Sequence, residues 1–311
     1  MRVLTVDGLS LEFVSAGRLA PWLGPAVRGT LAEPLRRGRC PATAGGGRCE
    51  PGSPEACVSC ATYEALAPPV PAGSPLGRAR GAGGGVPKPV SLAPAGPAPD
   101  WAAPGDRLLF RLTLLGPAAA HMDALLAALD GAGRDRGLGP DAVRFSLAGI
   151  ARPTTHELIP AALPGGPRAV PGTIPRLGLE LTAPLFLTGR DGTPLVEPDL
   201  PGLVRSAVRT VGTLLACWGE GDGELTRADT ASLIAAAESA RPLPADARWG
   251  SFSQSHQSTR QGRRRTLRGC GGAGAWADVP ACLLPWLLWA GRLGCGKDRV
   301  AGAGVWRLTL D

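Results

Sequence analysis

Lysine is nearly missing from this 311-residue chain: Lys88 and Lys297 stand against 31 arginines. Histidine is scarce too, with only His121, His156 and His256, and Tyr63 is the single tyrosine. Acid–base chemistry by imidazole therefore has three candidates. No run of 18 apolar residues free of charge or proline occurs, which argues against a membrane-spanning helix. The opening MRVLTVDGLSLEFV alternates like a strand and lacks the apolar block of a secretion signal. The expectation is a soluble, cytoplasmic protein with no membrane partner, in which disulfides do not persist.

What is present is apolar residues at 44%, enough for a real core, and arginine placed unevenly. Between Asp246 and Asp278 no acid occurs, while Arg248, Arg260, Arg263, Arg264, Arg265 and Arg268 do. These six carry nearly all of the formal +7. A cluster of this kind suits a polyanion; the plainer alternative is a solvated basic loop.

Periodicity divides the chain into two similar halves. In the first, residues 9–14 alternate as a strand, and Trp22, Val27, Leu31 and Leu35 predict a helix over 22–37 that Pro34 stops early. Strands follow at 107–116 and 142–150, flanking a helix led by His121; the helix N-terminus there lowers the imidazole pKa. In the second, a strand at 176–183 precedes a helix at 200–218 and another at 227–239. An apolar helix over 279–294 is expected to use Asp278 as its N-cap and to be kinked or broken by Pro285. A closing strand, GVWRLTL, ends the chain. His156 falls in an expected loop between the halves. The pattern suggests an α+β chain of two ferredoxin-like units. The first spans 1–160 with a cysteine loop at 40–60 and a Pro/Gly-rich loop at 67–105. The second spans 170–311 with a basic segment at 248–268 and a glycine-rich loop at 291–304.

Four of the eight cysteines, Cys40, Cys49, Cys57 and Cys60, crowd into the pattern C-x8-C-x7-C-x2-C. The C-x-x-C gap lets two thiolates face one ion, which favours structural Zn2+ over unligated thiols or an iron–sulfur cluster. Four thiolates leave no open position for a catalytic zinc. Cys217 and Cys282 sit in apolar surroundings as packing residues.

Five blocks then line up with a known family. They are LAPWLGPAVRGTLAEPLRRGRC, the cysteine segment ending in CVSCATYEAL, PGDRLLFRLTLLGPA with RGLGPDAVRFSL, LELTAPLFLTGRDGTPLVEPDLPGLVRSAVRTVGTLL, and HQSTRQGRRRTLRG running into GCGKDRVAGAGVWRL. In this order the chain resembles the CRISPR-associated endoribonucleases of the RAMP superfamily that process precursor crRNA, in a zinc-containing branch. The resemblance implies tandem ferredoxin-like domains and binding of a CRISPR repeat hairpin. It implies a cleavage with no metal cofactor, in which the 2′-hydroxyl attacks the adjacent phosphate and leaves a 2′,3′-cyclic phosphate. It also implies other CRISPR effector subunits as partners.

That chemistry wants a base, an acid and cations around the phosphorane. The catalytic candidates are His256, beside the basic cluster, with Arg28 and Arg36 on the first helix. The RNA-binding candidates are Arg260, Gln261, Arg263, Arg264, Arg265, Arg268, Lys297 and Arg299, with Trp249 as a stacking surface. Many members carry a histidine on the first helix or in an HxGK motif. Here the first helix has none, and the HxGK position is Gly294. A non-catalytic crRNA-binding subunit therefore stands as the alternative. Gly291, Gly296 and Lys297 also match P-loop spacing, but a helix precedes them, a strand follows, and Asp298 takes the place of the magnesium-binding Ser or Thr. Exposed amides of that loop are instead expected to meet an RNA backbone.

Overall fold

The computed structural model describes residues 1–36, 49, 57–63, 87–158, 163, 170–189, 191–219, 227–257 and 264–311. Cys40, most of the cysteine and Pro/Gly-rich loops, and Arg260, Gln261 and Arg263 lie outside the described residues.

The first half runs β1 (Arg2–Phe13), short β2 (Gly17–Arg18), α1 (Gly24–Arg36), one-turn α2 (Val58–Ala61), β3 (Val90–Pro94), short β4 (Trp101–Ala102), β5 (Arg107–Leu115), α3 (Met122–Asp135), β6 (Phe145–Ile150) and β7 (Thr154–Glu157). β1 is central, and its sheet has the order β3-β5-β1-β6, with β7 pairing the other end of β1. The second half runs β8 (Thr173–Leu181), α4 (Leu200–Trp218), α5 (Arg227–Glu238), two-residue β9 (Arg241–Pro242), β10 (Gly250–Gln257), β11 (Arg264–Gly271), β12 (Ala273–Pro280), α6 (Leu284–Leu293) and β13 (Trp306–Leu310). Its sheet has the order β13-β8-β12-β9. With the β10–β11 hairpin set aside, both halves share one connectivity. The first and third main strands lie at the centre, and the second and fourth lie at the edges. All pairings are antiparallel.

Alternation explains the strands. Leu9, Leu11 and Phe13 on β1 and Phe110, Leu112 and Leu114 on β5 turn to one face and are buried. Against that face pack Val27, Leu31 and Leu35 of α1, one helical turn apart, and Leu125, Leu126 and Leu129 of α3. The second core joins Leu177 and Leu179 of β8 to the Leu203–Val211 stripe of α4 and to Trp286, Leu287 and Leu293 of α6. Each such side chain contributes about 1.5–3 kcal/mol by leaving water. Asp199 caps α4, its carboxylate accepting from the Gly202 amide at 2.8 Å, with Pro201 in the first turn.

Four local expectations are corrected. α1 continues through Pro34, which sits in the last turn, where one lost bond is offset by buried Leu35 beside it. Asp278 caps nothing: it is an irregularity inside β12 with φ 57°, a backbone region that aspartate tolerates. Pro285 does not break the following helix but lies in its first turn, where no amide partner is missing. His156 is on β7, paired with Val3, and not in a loop.

Candidate nucleic-acid interface

The basic segment forms the β10–β11 hairpin, a two-stranded sheet of its own, paired from Gly250 with Gly271 to Gln257 with Arg264. Its base is held by Cys270 and Leu185, which exchange backbone bonds of 2.9 and 3.0 Å. Alternation gives the hairpin two faces. Leu267 is buried against Trp22, Phe186, Ala301 and Ala303 on the face that Arg265 shares, while Arg264 and Arg268 lie on the other; all three arginines are exposed. Arg265 pairs with Asp298 at 3.2 Å. Among the described residues Arg264 and Arg268 make no salt bridge, so two guanidinium forks stand open to solvent. His256 lies opposite Arg265 in the ladder.

The hairpin reaches the first half at Trp22, where one of its side chains makes two hydrogen bonds. The Gln254 amide accepts from the Trp22 amide at 3.1 Å and donates to the Trp22 carbonyl at 2.9 Å. Trp22, Phe186 and Phe252 stack around that point, with ring centroids 5.3 to 6.4 Å apart. Two residues beyond Trp22 begins α1, which carries half-buried Arg28 one turn in and Arg36 as its last residue. Trp22 and Gln254 had no place among the candidates from sequence. No local pattern marks a contact between residues 232 positions apart.

The glycine-rich loop departs from expectation. Arg299 is 5% exposed, and its guanidinium donates to the carbonyls of Leu293 and Lys88, the latter in the first half. Burial pushes this group down to about 10, and it faces protein carbonyls where RNA contact was expected. The amides of Lys297, Ala301, Gly302, Ala303 and Gly304 all donate to backbone carbonyls, so these five are not free for phosphate. The glycines meet protein backbone: a Cβ on Gly302 would lie 2.3 Å from Ala93 Cα, and one on Gly304 would lie 2.0 Å from the Cys295 carbonyl. Gly291 is in α6 against the Trp306 indole. The P-loop reading fails on these contacts. Lys297 alone of this loop's cations is exposed. Trp249 is half-buried, one side of it packing beside Gly274 and the second core.

The remaining histidines lie elsewhere. His121 ends the turn before α3, where burial lowers its pKa. His156 sits edge-on to Trp289 at 6.5 Å, and burial, then the Arg292 charge, lowers it. The Cys49, Cys57 and Cys60 sulfurs lie within 4.8 Å of one another. A zinc ion about 2.3 Å from each thiolate needs them about 3.8 Å apart, so a small contraction fits the trio to a metal. Cys40, the expected fourth ligand, lies outside the described residues. Tyr63, next to this cluster in sequence, is buried with no hydrogen-bond partner for its hydroxyl, a packing position. Burial pushes its pKa far up, against a smaller pull from Arg28. Among the described residues no helix is long and apolar enough to cross a membrane.

Comparison with known proteins gives a consistent fold. Residues 3–164 match the N-terminal domain model of the AF_1859_N family. A Cas6 (TTHB231) product complex matches with TM-score 0.54 at 17% identity, covering 99% of each chain; the same Cas6, from Thermus thermophilus, matches at 0.50. A Cas6 (TTHA0078) product complex matches with TM-score 0.50 at 16% identity over 99% of this chain and 100% of the other. A partial Cas6-RT-Cas1–Cas2 complex matches at 0.51 and 11% identity, over 100% of this chain and 46% of that one. No curated protein matches by sequence. The chain thus has the mixed, antiparallel fold of the Cas6 structures.

Proposed function

The chain belongs to the AF_1859_N family, and on that premise we propose that it binds CRISPR repeat RNA and cuts precursor crRNA, remaining on the product as part of an effector complex in the cytoplasm. The observation that carries the reading is the exposed arginines of a hairpin that bridges both halves, Arg264 and Arg268 on one face and Arg265 on the other. Arginine forks along a strand ladder suit phosphates of an RNA hairpin. We take residues 1–160 and 170–311 as tandem ferredoxin-like units, since both sheets repeat one connectivity. Structural zinc on Cys40, Cys49, Cys57 and Cys60 would brace the first unit beside α1 and take no part in the reaction.

In the proposed reaction a base takes the proton of the ribose 2′-hydroxyl and the oxygen attacks the adjacent phosphorus. The phosphorus–O5′ bond breaks, an acid returns a proton to O5′, and a 2′,3′-cyclic phosphate remains. His256 serves as acid or base, and Arg28 and Arg36 offset the charge of the phosphorane. Arg260, Gln261, Arg263 and Lys297 extend the RNA contact. The absence of histidine from α1 favours one alternative, a RAMP subunit that holds crRNA without cutting. Labelled repeat incubated with the protein in EDTA separates the two: cleavage to a cyclic phosphate supports the nuclease, and tight binding without cleavage supports the holding subunit. No binding at all overturns both.

A further inference from the structure

Resting on the reading that this chain holds and cuts repeat RNA, we propose that Gln254 is a positioning residue. It locks the basic hairpin at one angle to α1, so that RNA gripped by the hairpin arginines is presented to Arg28.

The hairpin is a lever. Eight residues per strand make an arm about 26 Å long, tied by strand pairing only at its base, where Cys270 meets Leu185. An arm paired at one end needs side-chain contacts to hold its angle. Gln254 sits midway along β10 and engages both main-chain groups of Trp22 with one amide. The receiving end is fixed: a Cβ on Gly24 would lie 1.9 Å from the Ala301 carbonyl, so the start of α1 is seated on the glycine-rich loop. A side chain that both accepts and donates suits this clamp. Glutamate, the same size, cannot donate to the Trp22 carbonyl at neutral pH. The Phe252, Leu267 and Trp22 contacts are independent of the amide and keep the hairpin folded when it is replaced. Arg265 to Asp298 is a second, exposed tie and holds less strongly.

The experiment compares Gln254→Met and Gln254→Glu with the wild-type chain in three measurements: repeat-RNA affinity, single-turnover cleavage at saturating protein, and hydrogen exchange over residues 20–24. Met keeps the volume and removes both hydrogen bonds; Glu keeps one. The expected result is affinity within about threefold of wild type and a cleavage rate down about tenfold or more in both variants, with faster exchange at the Trp22 amide in Gln254→Met and near wild-type exchange there in Gln254→Glu, whose carboxylate still accepts from that amide. Equal losses in affinity and rate, or no loss in either, overturn the proposal. So does unchanged exchange in Gln254→Met, whatever the activity. If the wild-type chain binds repeat and leaves it whole, the cleavage reading falls. The clamp is then decided by exchange alone: acceleration in Gln254→Met supports it, and none sinks it.

Discussion

Two segments of the second half look alike on paper and behave oppositely in space. RRTLRG on β11 and GCGKDRVAGAG before β13 are both basic, both contain glycine, and both were expected to touch phosphate. In the first, Arg264, Arg265 and Arg268 are exposed, while in the second Arg299 is 5% exposed and ties Leu293 to Lys88. The difference is in what the neighbouring residues allow. A hairpin strand alternates, so one face takes Leu267 into the aromatic cluster with Arg265 at its edge against Asp298, and the other carries Arg264 and Arg268 to water. The glycine loop brings backbone against backbone, and its arginine is left with carbonyls for partners. An arginine's role follows from the acceptors within its reach, and composition does not reveal them.

The comparison breaks most sharply at the glycines. Gly304→Ala places a Cβ on the Cys295 carbonyl at a φ of +66°, so stability should fall by about 3 kcal/mol or more. Thermal unfolding measures this, and a melting temperature within a degree or two of wild type would remove the loop from its structural role.

The opposite segment should show the reverse pattern. Replacing Arg264, Arg265 and Arg268 together with alanine should weaken repeat binding about 100-fold and flatten its salt dependence by two to three phosphate contacts, roughly, with little change in melting temperature. Binding titrations at several salt concentrations test it; unchanged slope with a lower melting temperature would mean the hairpin arginines are structural.

Arg299→Met sharpens the contrast from the other side. Two buried carbonyls lose their donor, at about 2 kcal/mol of stability, while affinity per folded molecule stays. Lys297→Ala, at the one exposed cation of the loop, should cost only about threefold in affinity. A change as large as that of the arginine triple would return the loop to the RNA surface.

The last expected effect is absent at neutral pH and appears only in alkali. Burial pushes the Cys270 thiol, at the hairpin base, up to about 11 from 9.0. The folded state prefers the neutral thiol, so this contribution is complete below pH 9 and is lost as pH rises toward 11. Denaturant titrations across that window should show stability falling, less steeply in Cys270→Ala.

Much of the fold was legible. The Leu200–Trp218 helix was read to its ends, because a full apolar stripe and an Asp-Leu-Pro start leave little choice. The strands at 107–116, 142–150 and 176–183 and the closing strand were found by alternation with ends within three residues, whereas β1 begins seven residues before the expected 9–14 and β7 was expected as a loop, because pairing partners, and not the strand itself, decide these bonds. β9, two residues long, and one-turn α2 had no periodicity to show. Asp278 and Pro285 were misread because each is compatible with two roles, and the register of β12 chose between them. At the candidate site the arginine cluster and the C-x-x-C spacing were visible as local patterns. The Gln254–Trp22 clamp and the burial of Arg299 were not.

The sequence alone determined which faces are apolar, where the positive charge is dense, and which cysteines can meet, since periodicity and spacing over a few residues settle those. Only the tertiary structure decided which of two similar basic segments meets solvent. That outcome depends on a backbone approach, Gly302 against Ala93 and Gly24 against Ala301, between residues far apart in the chain, and no local pattern carries the position of a partner two hundred residues away.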